Sequence, residues 1–263
     1  MQLRRLTFLC LAGVLAALPS IVSAATFVDT NSSISVGNLQ INPTAGGTVM
    51  FSTDPTFLDV KVWSMAQNSL GEYQDDSNWQ NAFVDLSANA AVTWANGNGV
   101  ANYSTASVGA SSAVDIPPHE KMRWAYGEGR GSLGQWFEIT GGTGTTNTTL
   151  SLDYAGALFG SAGDASYFKT EIIAGLELWD AMGNQLTKKV GEHVLAGGPN
   201  ETKSLLIPTT TLSDTLTLSY DTWYYTYFEG DSETYGQTPE PGSLFLILPG
   251  LALLVRRHMR VSC

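Results

Sequence analysis

Alternation of apolar and polar residues over three long segments in the second half of the chain limits the folds that this sequence can adopt. The apolar members of each segment share one parity: Leu150, Leu152, Tyr154 and Leu158; Phe168, Ile172, Leu176 and Leu178; Leu212, Leu216, Leu218 and Tyr220. Because successive side chains of a β-strand point to opposite faces, each segment is predicted to be a strand with one buried face. No segment of ten or more residues between the two ends of the chain keeps a helical period, which argues against a helical domain.

Turn residues separate the predicted strands. Asn96-Gly97-Asn98-Gly99 lies between the apolar segments 91–94 and 100–103, and it predicts a hairpin turn because Asn and Gly tolerate positive φ. Gly183-Asn184 is predicted to turn the chain again. We therefore expect an all-β fold, an antiparallel β-sandwich with jelly-roll or immunoglobulin-like connections.

The first 24 residues have the pattern of a secretory signal peptide. Arg4-Arg5 precede an apolar segment from Leu6 to Val22, and the small residues around Val22 and Ala24 suit signal peptidase. Export by the general secretion machinery is therefore expected. The alternative, a permanent N-terminal membrane helix, is disfavoured by the short apolar core and the cleavable end.

The other end of the chain combines three features in order. Pro239-Glu240-Pro241 comes first, an uncharged apolar run from Leu244 to Val255 follows, and Arg256-Arg257 closes the run. As a helix the run would cover about 18 Å, against about 30 Å of bilayer hydrocarbon, so it predicts a marginal and transient anchor. The arginines would keep the C-terminus on the cytoplasmic side.

This order of parts resembles the PEP-CTERM sorting signal of Gram-negative bacteria. The resemblance covers residues 239–263 only, and its motif positions are Pro239, Glu240, Pro241, Arg256 and Arg257. It implies recognition by an exosortase, a membrane-embedded cysteine enzyme that cuts near the tripeptide, followed by delivery to the cell surface or extracellular matrix. Association with exopolysaccharide or biofilm is implied as well. An ordinary C-terminal membrane tail is the alternative.

These signals divide the chain into a signal peptide (1–24), a β-sandwich domain (25–228), an acidic linker (229–238) and a sorting signal with a short transmembrane helix (239–263). The linker is predicted from its polar, acidic composition. Glu229, Asp231 and Glu233 alternate within it and could attract a cation, but a solvated spacer is favoured.

The net charge and the positions of the cysteines limit the classes of partner and the chemistry that we expect. Of 13 basic and 24 acidic residues, five bases and one acid lie in the two signals, which leaves 8 bases, 23 acids and a net charge of about −15. Such a domain repels nucleic acid, so no nucleic-acid partner is expected. The cysteines, Cys10 and Cys263, both lie in the signals, so the mature domain is expected to have neither disulfides nor thiol chemistry.

Signals for catalysis are sparse. The domain has only His119 and His193, too few for a histidine-rich metal centre, and Gly127 to Gly134 lacks the motifs of a nucleophile elbow or a phosphate loop. That stretch is predicted to be a flexible loop. Carboxylates such as Asp75-Asp76, Glu128 and Glu138 leave glycoside hydrolysis open, because catalytic pairs meet in space. We predict no enzymatic activity and no cofactor.

Aromatic residues are the remaining candidates for binding. If the strand parity continues past Asp221, the side chains of Trp223, Tyr225 and Tyr227 form a row on the polar face that could stack on sugar rings. A break at Asp221 would instead turn these rings into the core, and this alternative is favoured. Three classes of function follow: a non-enzymatic surface or matrix protein, a glycan-binding module, and a secreted carbohydrate-active enzyme.

Overall fold

The computed structural model describes residues 25–120 and 122–239. The predicted signal-peptidase positions Val22 and Ala24 lie outside the described residues. So do most positions of the predicted sorting signal: Glu240, Pro241, the apolar run, Arg256 and Arg257. Within the described ranges, no helix is long and apolar enough to cross a membrane.

Antiparallel strands form two sheets in the described part of the chain. The first sheet contains, in spatial order, β12 (Thr202–Ser219), β9 (Thr145–Ala162), β1 (Val28–Pro43), β7 (Ser107–Ile116), β6 (Ala95–Asn102) and β5 (Asp85–Val92). The second sheet contains β11 (Gln185–Gly197), β10 (Tyr167–Asp180), β13 (Trp223–Gln237), β8 (Trp124–Thr140), β3 (Leu58–Asn68) and β4 (Tyr73–Gln80). The short β2 (Thr48–Phe51) pairs with the end of β8. The prediction of an all-β fold with two antiparallel sheets is confirmed.

The apolar faces predicted from the alternation point into the space between the sheets. Leu150, Leu152 and Leu158 on β9 are at most 1% exposed, and Ile172, Leu176 and Leu178 on β10 are fully buried. Together with Phe137 and Phe228 they belong to one apolar cluster drawn from both sheets. The hydrophobic burial that holds the sheets face to face therefore follows directly from the period of two in the sequence. The predicted turn at Gly183 is present as well, with φ of 84°.

Glycines allow the two sheets to approach closely along one line. Gly97 on β6 faces Glu128, and Gly129 on β8 faces Asn98, so that a Cβ atom on either glycine would overlap a backbone carbonyl oxygen of the opposite sheet. The prediction of a loop from Gly127 to Gly134 is therefore wrong, since these residues form the middle of β8. The glycines are needed for close backbone packing and not for flexibility.

The hairpin between β5 and β6 exists, but its turn is displaced from the predicted position. The chain turns at Thr93-Trp94, where Trp94 has φ of 73°, and Asn96-Gly97-Asn98-Gly99 lies inside β6. Local turn propensity indicated the wrong residues because Gly97 and Gly99 serve the contact with β8.

The prediction of an acidic linker at 229–238 is also wrong. Residues 229–237 form the second half of β13, which lies between β10 and β8 in the interior of the second sheet. The inward positions of this half are glycine, serine or threonine, and the Ser232 hydroxyl contacts those of Ser32 at 2.6 Å and Ser112 at 2.9 Å, both on the first sheet. Buried hydroxyls that hydrogen-bond to one another take the place of apolar side chains here. The amino-acid composition of residues 229–238 therefore resembles that of a linker.

The end of the described range is joined to the rest of the domain by backbone hydrogen bonds. The Thr238 backbone donates to the Arg123 carbonyl at 2.8 Å, and the Pro239 carbonyl accepts from Met122 at 2.9 Å. The domain thus extends to Pro239, which is the first residue of the tripeptide.

Candidate binding face of the second sheet

The outward face of the second sheet, here called the outer face, presents aromatic and charged side chains from four neighbouring strands. On β13 the residues of odd number face outward, from Trp223 through Asp231 to Gln237. The residues of β8 that point outward have even numbers, and the residues of β3 and β10 that point outward have odd numbers. The parity rule used for the sequence therefore places the aromatic row and the alternating acids on one strand and one face.

Trp223, Tyr225 and Tyr227 lie on the outer face, although the chain does break at Asp221 as expected. β12 ends at Ser219, Asp221 adopts φ of 53°, and the chain crosses from the first sheet to the second. After the crossing Tyr224 and Phe228 point into the core, so the rings of odd number point outward. Trp223 is 39% exposed, and the two tyrosines are half-buried among neighbours.

An aromatic depression of about 340 Å³ is lined on one side by the exposed ring of Trp223. Phe57, Trp136 and Ala181 complete its lining. The Phe57 ring meets Trp136 edge-on with centroids 6.2 Å apart, and Trp136 lies 5.6 Å from the Tyr225 ring. With Phe57 49% exposed, the depression offers large apolar faces to a ligand from solvent.

A second, more polar depression of about 260 Å³ lies beside it across β3, β4 and β8. Its lining combines rings with hydrogen-bonding groups: Lys61, Val62, Trp63, Ser77, Asn78, Trp79, Arg130, Ser132 and Tyr227. Trp79 is 61% exposed, and Lys61 Nζ lies 5.0 Å from its ring centroid. Rings flanked by donors and acceptors suit a ligand that carries both C–H faces and hydroxyls.

Asp59 links two aromatic side chains of the outer face. It accepts a hydrogen bond from Trp79 Nε1 at 2.6 Å and another from the Tyr225 hydroxyl at 2.9 Å. Burial, reinforced by the Asp59 charge, raises the pKa of Tyr225 far above its ordinary value, and burial does the same for Tyr227. Both phenols therefore stay protonated, and each donates its hydrogen to a carboxylate, Tyr225 to Asp59 and Tyr227 to Glu229 at 3.1 Å.

Three carboxylates meet further along the same strands. Glu128 on β8 lies directly opposite Glu233 on β13, with Asp231 two residues away. One oxygen of each lies within 4.8 Å of the others. The Tyr126 hydroxyl donates to Glu128 Oε2, and Arg130 donates to Asp231 Oδ2 from Nε at 3.0 Å. We call Glu128, Asp231 and Glu233 the carboxylate cluster.

Burial dominates the electrostatics of this cluster. Burial raises the pKa of Glu128 to about 7. The hydrogen bond from Tyr126 and the charge of Arg130 lower this pKa, whereas the negative charges of Asp231 and Glu233 raise it further. The pKa of Asp231 is also raised by burial, opposed by the Arg130 guanidinium. Glu128 is only 7% exposed and Asp231 3%. Glu128 and Asp231 therefore lie below the surface, and Glu233 is half-buried beside them.

Among the described residues, the space beside the carboxylate cluster is smaller than the cleft that glycoside hydrolysis needs. The open space beside it is about 20 Å³, which does not hold a sugar ring. The other candidates from the sequence are scattered: His193 Nε2 contacts the Tyr154 hydroxyl at 3.0 Å, and Asp76 accepts from the Asn89 backbone. Glu138 lies opposite Trp223, away from the cluster.

Sequence reasoning missed Glu128 and Arg130 as partners of Asp231, because they lie about a hundred residues apart in the chain. The available signal was parity: Trp223, Tyr225, Tyr227, Glu229, Asp231 and Glu233 keep one period of two without interruption. That pattern predicts one continuous strand.

No protein-family model matches the chain, and no curated protein matches it. Among solved structures the chain is similar to a protein from Bacteroides fragilis named "putative beta-galactosidase", with 8% identity and a TM-score of 0.17. The match covers 69% of this chain and 27% of that protein. A TM-score this low carries no argument about fold or activity.

Proposed function

We propose that this chain is an exported, non-enzymatic protein of the cell surface or extracellular matrix whose β-sandwich domain binds polysaccharide on the outer face. One observation carries the binding part of the proposal: Trp223, Trp136 and Phe57 line an open aromatic depression beside a second one rich in donors. Sugar rings stack their C–H faces on such rings, while their hydroxyls bond to polar neighbours.

The net charge of the domain limits the class of ligand that it can bind. The domain between the signals carries about −15, so neutral glycans are favoured over anionic ones. Stacking contributes little electrostatic energy, and binding should therefore change little with salt. The space of about 20 Å³ beside the carboxylate cluster is smaller than a sugar ring needs, which favours a binding role over hydrolysis.

The delivery part of the proposal rests on the sequence signals. Val22 and Ala24 mark the expected signal-peptidase site, and the motif from Pro239 to Arg257 resembles the substrate signal of an exosortase. Intact-mass analysis of protein extracted from the cell surface tests it. We expect a C-terminus at or just beyond Pro239, because the domain extends to that residue. A mature species that still carries Arg256 and Cys263 would contradict processing.

Binding is tested by retention of the purified protein on the exopolysaccharide of its own host, with neutral β-glucan and α-glucan gels alongside. Trp223→Ala should weaken retention about 5- to 150-fold, which corresponds to about 1–3 kcal/mol for the loss of one stacked ring. Trp136→Ala should also weaken retention.

The matched control is Tyr167→Ala. Tyr167 is an exposed aromatic residue on the same face, at the Gln237 end of the sheet and about 45 Å along β13 from Trp223. We expect its retention and melting temperature to equal those of the unaltered protein. The binding proposal fails if the unaltered protein is retained by none of these glycans, or if Trp223→Ala and Trp136→Ala are retained as well as Tyr167→Ala.

A further inference from the structure

The carboxylate cluster brings together oxygen atoms with the separation that one metal ion spans. Glu128 and Glu233 are direct cross-strand partners, Asp231 follows on the same face, and one oxygen from each lies within 4.8 Å of the other two. Calcium–oxygen bonds are about 2.3–2.6 Å long, so two oxygens on one ion are separated by at most about 5 Å. The single guanidinium of Arg130 offsets only part of the repulsion among these three carboxylates.

Asp231 supplies an independent observation that points to a ligand. Its side chain is only 4% exposed, and Arg130 donates to one oxygen, Oδ2, from both Nε and Nη2. The other oxygen, Oδ1, is buried and has no hydrogen-bond partner in the described part of the chain. Buried carboxylate oxygens are normally satisfied, so an unpartnered oxygen on one member of a group of three carboxylates points to a positively charged ligand.

We propose that Glu128, Asp231 and Glu233 bind a hard divalent cation of the calcium class, with Asp231 Oδ1 as one ligand. All three side chains offer oxygen, the donor that calcium and magnesium prefer, and the cluster contains neither histidine nor cysteine to favour zinc. Arg130 contributes one positive charge against three negative ones, so a divalent ion would neutralise the group. Glu233 is half-buried and gives the ion access from solvent, whose water would complete the coordination shell.

The proposed ion would stabilise the centre of the second sheet. Glu128 lies on β8 and the other two ligands on β13, so the ion would join these adjacent strands through their side chains. A ligand that binds only the folded state raises the melting temperature in proportion to the logarithm of its concentration over Kd. The site lies apart from the Trp223 depression, so its failure and that of the proposed glycan binding are distinguishable.

Calorimetric titration of the EDTA-treated protein with CaCl2 at pH 7.5 tests the proposal, alongside thermal melting in EDTA and in calcium. We expect one site with Kd between about 10⁻⁶ and 10⁻³ M, and a melting temperature that rises with calcium. Glu233→Gln and Glu128→Gln should weaken binding at least about tenfold, because each replaces a charged ligand by a neutral amide of the same shape. Circular dichroism of both variants confirms that they are folded.

Glu229→Gln is the matched control, since Glu229 lies on the same face of β13, two residues from Asp231, and outside the cluster. Its calcium Kd should stay within about twofold of the unaltered protein. Trp223→Ala should likewise leave calcium binding unchanged. The proposal is overturned if neither CaCl2 nor MgCl2 at 10 mM, a concentration about ten times the weakest expected Kd, gives binding heat or raises the melting temperature. It is equally overturned if Glu233→Gln binds calcium as well as Glu229→Gln.

Discussion

Arg130 donates two hydrogen bonds to a single oxygen of Asp231, from Nε at 3.0 Å and from Nη2 at 2.5 Å, across the pair formed by β8 and β13. The arginine side chain is 44% exposed while that of Asp231 is 4% exposed. Arg130 thus supplies the charge that keeps a buried aspartate tolerable at the centre of the second sheet, where the sequence had indicated a loop and a linker.

Arg130→Gln should lower the free energy of unfolding by about 2–4 kcal/mol, because it leaves the buried carboxylate of Asp231 without its cation. Urea denaturation at pH 7.5 in EDTA measures the change. The control is Lys203→Gln, whose ion pair with Glu201 is exposed on both sides and should therefore contribute little to stability. Equal effects of the two substitutions would contradict a special role for Arg130.

Stability should fall as pH rises from about 5 to 8 in metal-free buffer, and Glu128 should cause part of that fall. The folded protein raises the pKa of this carboxyl from 4.5 to about 7, so it binds the proton more tightly than the unfolded chain does. The contribution is fully present below pH 4.5 and is lost through pH 7, with a limit of about 3 kcal/mol.

Glu128→Gln should flatten this pH profile, because the amide stays neutral throughout. Denaturation midpoints at pH 5, 6, 7 and 8 provide the measurement. Glu138→Gln, on the same face of β8 but outside the cluster, should retain the profile of the unaltered protein. If Glu128→Gln retains it too, the proton is bound elsewhere.

Truncation should distinguish a strand from a spacer at residues 229–238. A chain of residues 25–239 should fold with a β-rich circular dichroism spectrum and a cooperative melt, whereas 25–228 should not. The shorter chain loses half of β13, which leaves β8 and β10 without their common partner and Ser32 without Ser232. Identical melting of the two chains would show that residues 229–238 are dispensable.

Gly129→Ala should destabilise the domain by at least about 3 kcal/mol, because the new methyl group would overlap the Asn98 carbonyl of the opposite sheet. Gly198→Ala is the control, since its nearest neighbour would be Tyr167 at an ordinary 3.8 Å, and it should stay within about 0.5 kcal/mol. Thermal melting of both variants measures the two changes in stability. A tolerated Gly129→Ala would mean that the sheets can separate at this line.

Part of the binding face was predictable from local pattern. The parity of Trp223, Tyr225 and Tyr227 was identified, but the side they face depended on where the chain went after Asp221. A crossing between sheets reverses which direction is outward, and no residue near Asp221 specifies the sheet that the next strand joins. The aromatic depression also needs Phe57 and Trp136, which come from distant parts of the chain.

The sequence by itself determined the all-β class and the faces of the strands, because the period of two is a local property of each strand. Only the tertiary structure decided that Gly127–Gly134 and 229–237 are neighbouring interior strands. Glycine and polar residues have local preferences for loops, and these preferences were overridden by close backbone contact between the sheets and by hydroxyls that bond across the core. The meeting of Glu128 and Arg130 with Asp231 was likewise decided by strand pairing, which joins residues that no local pattern relates.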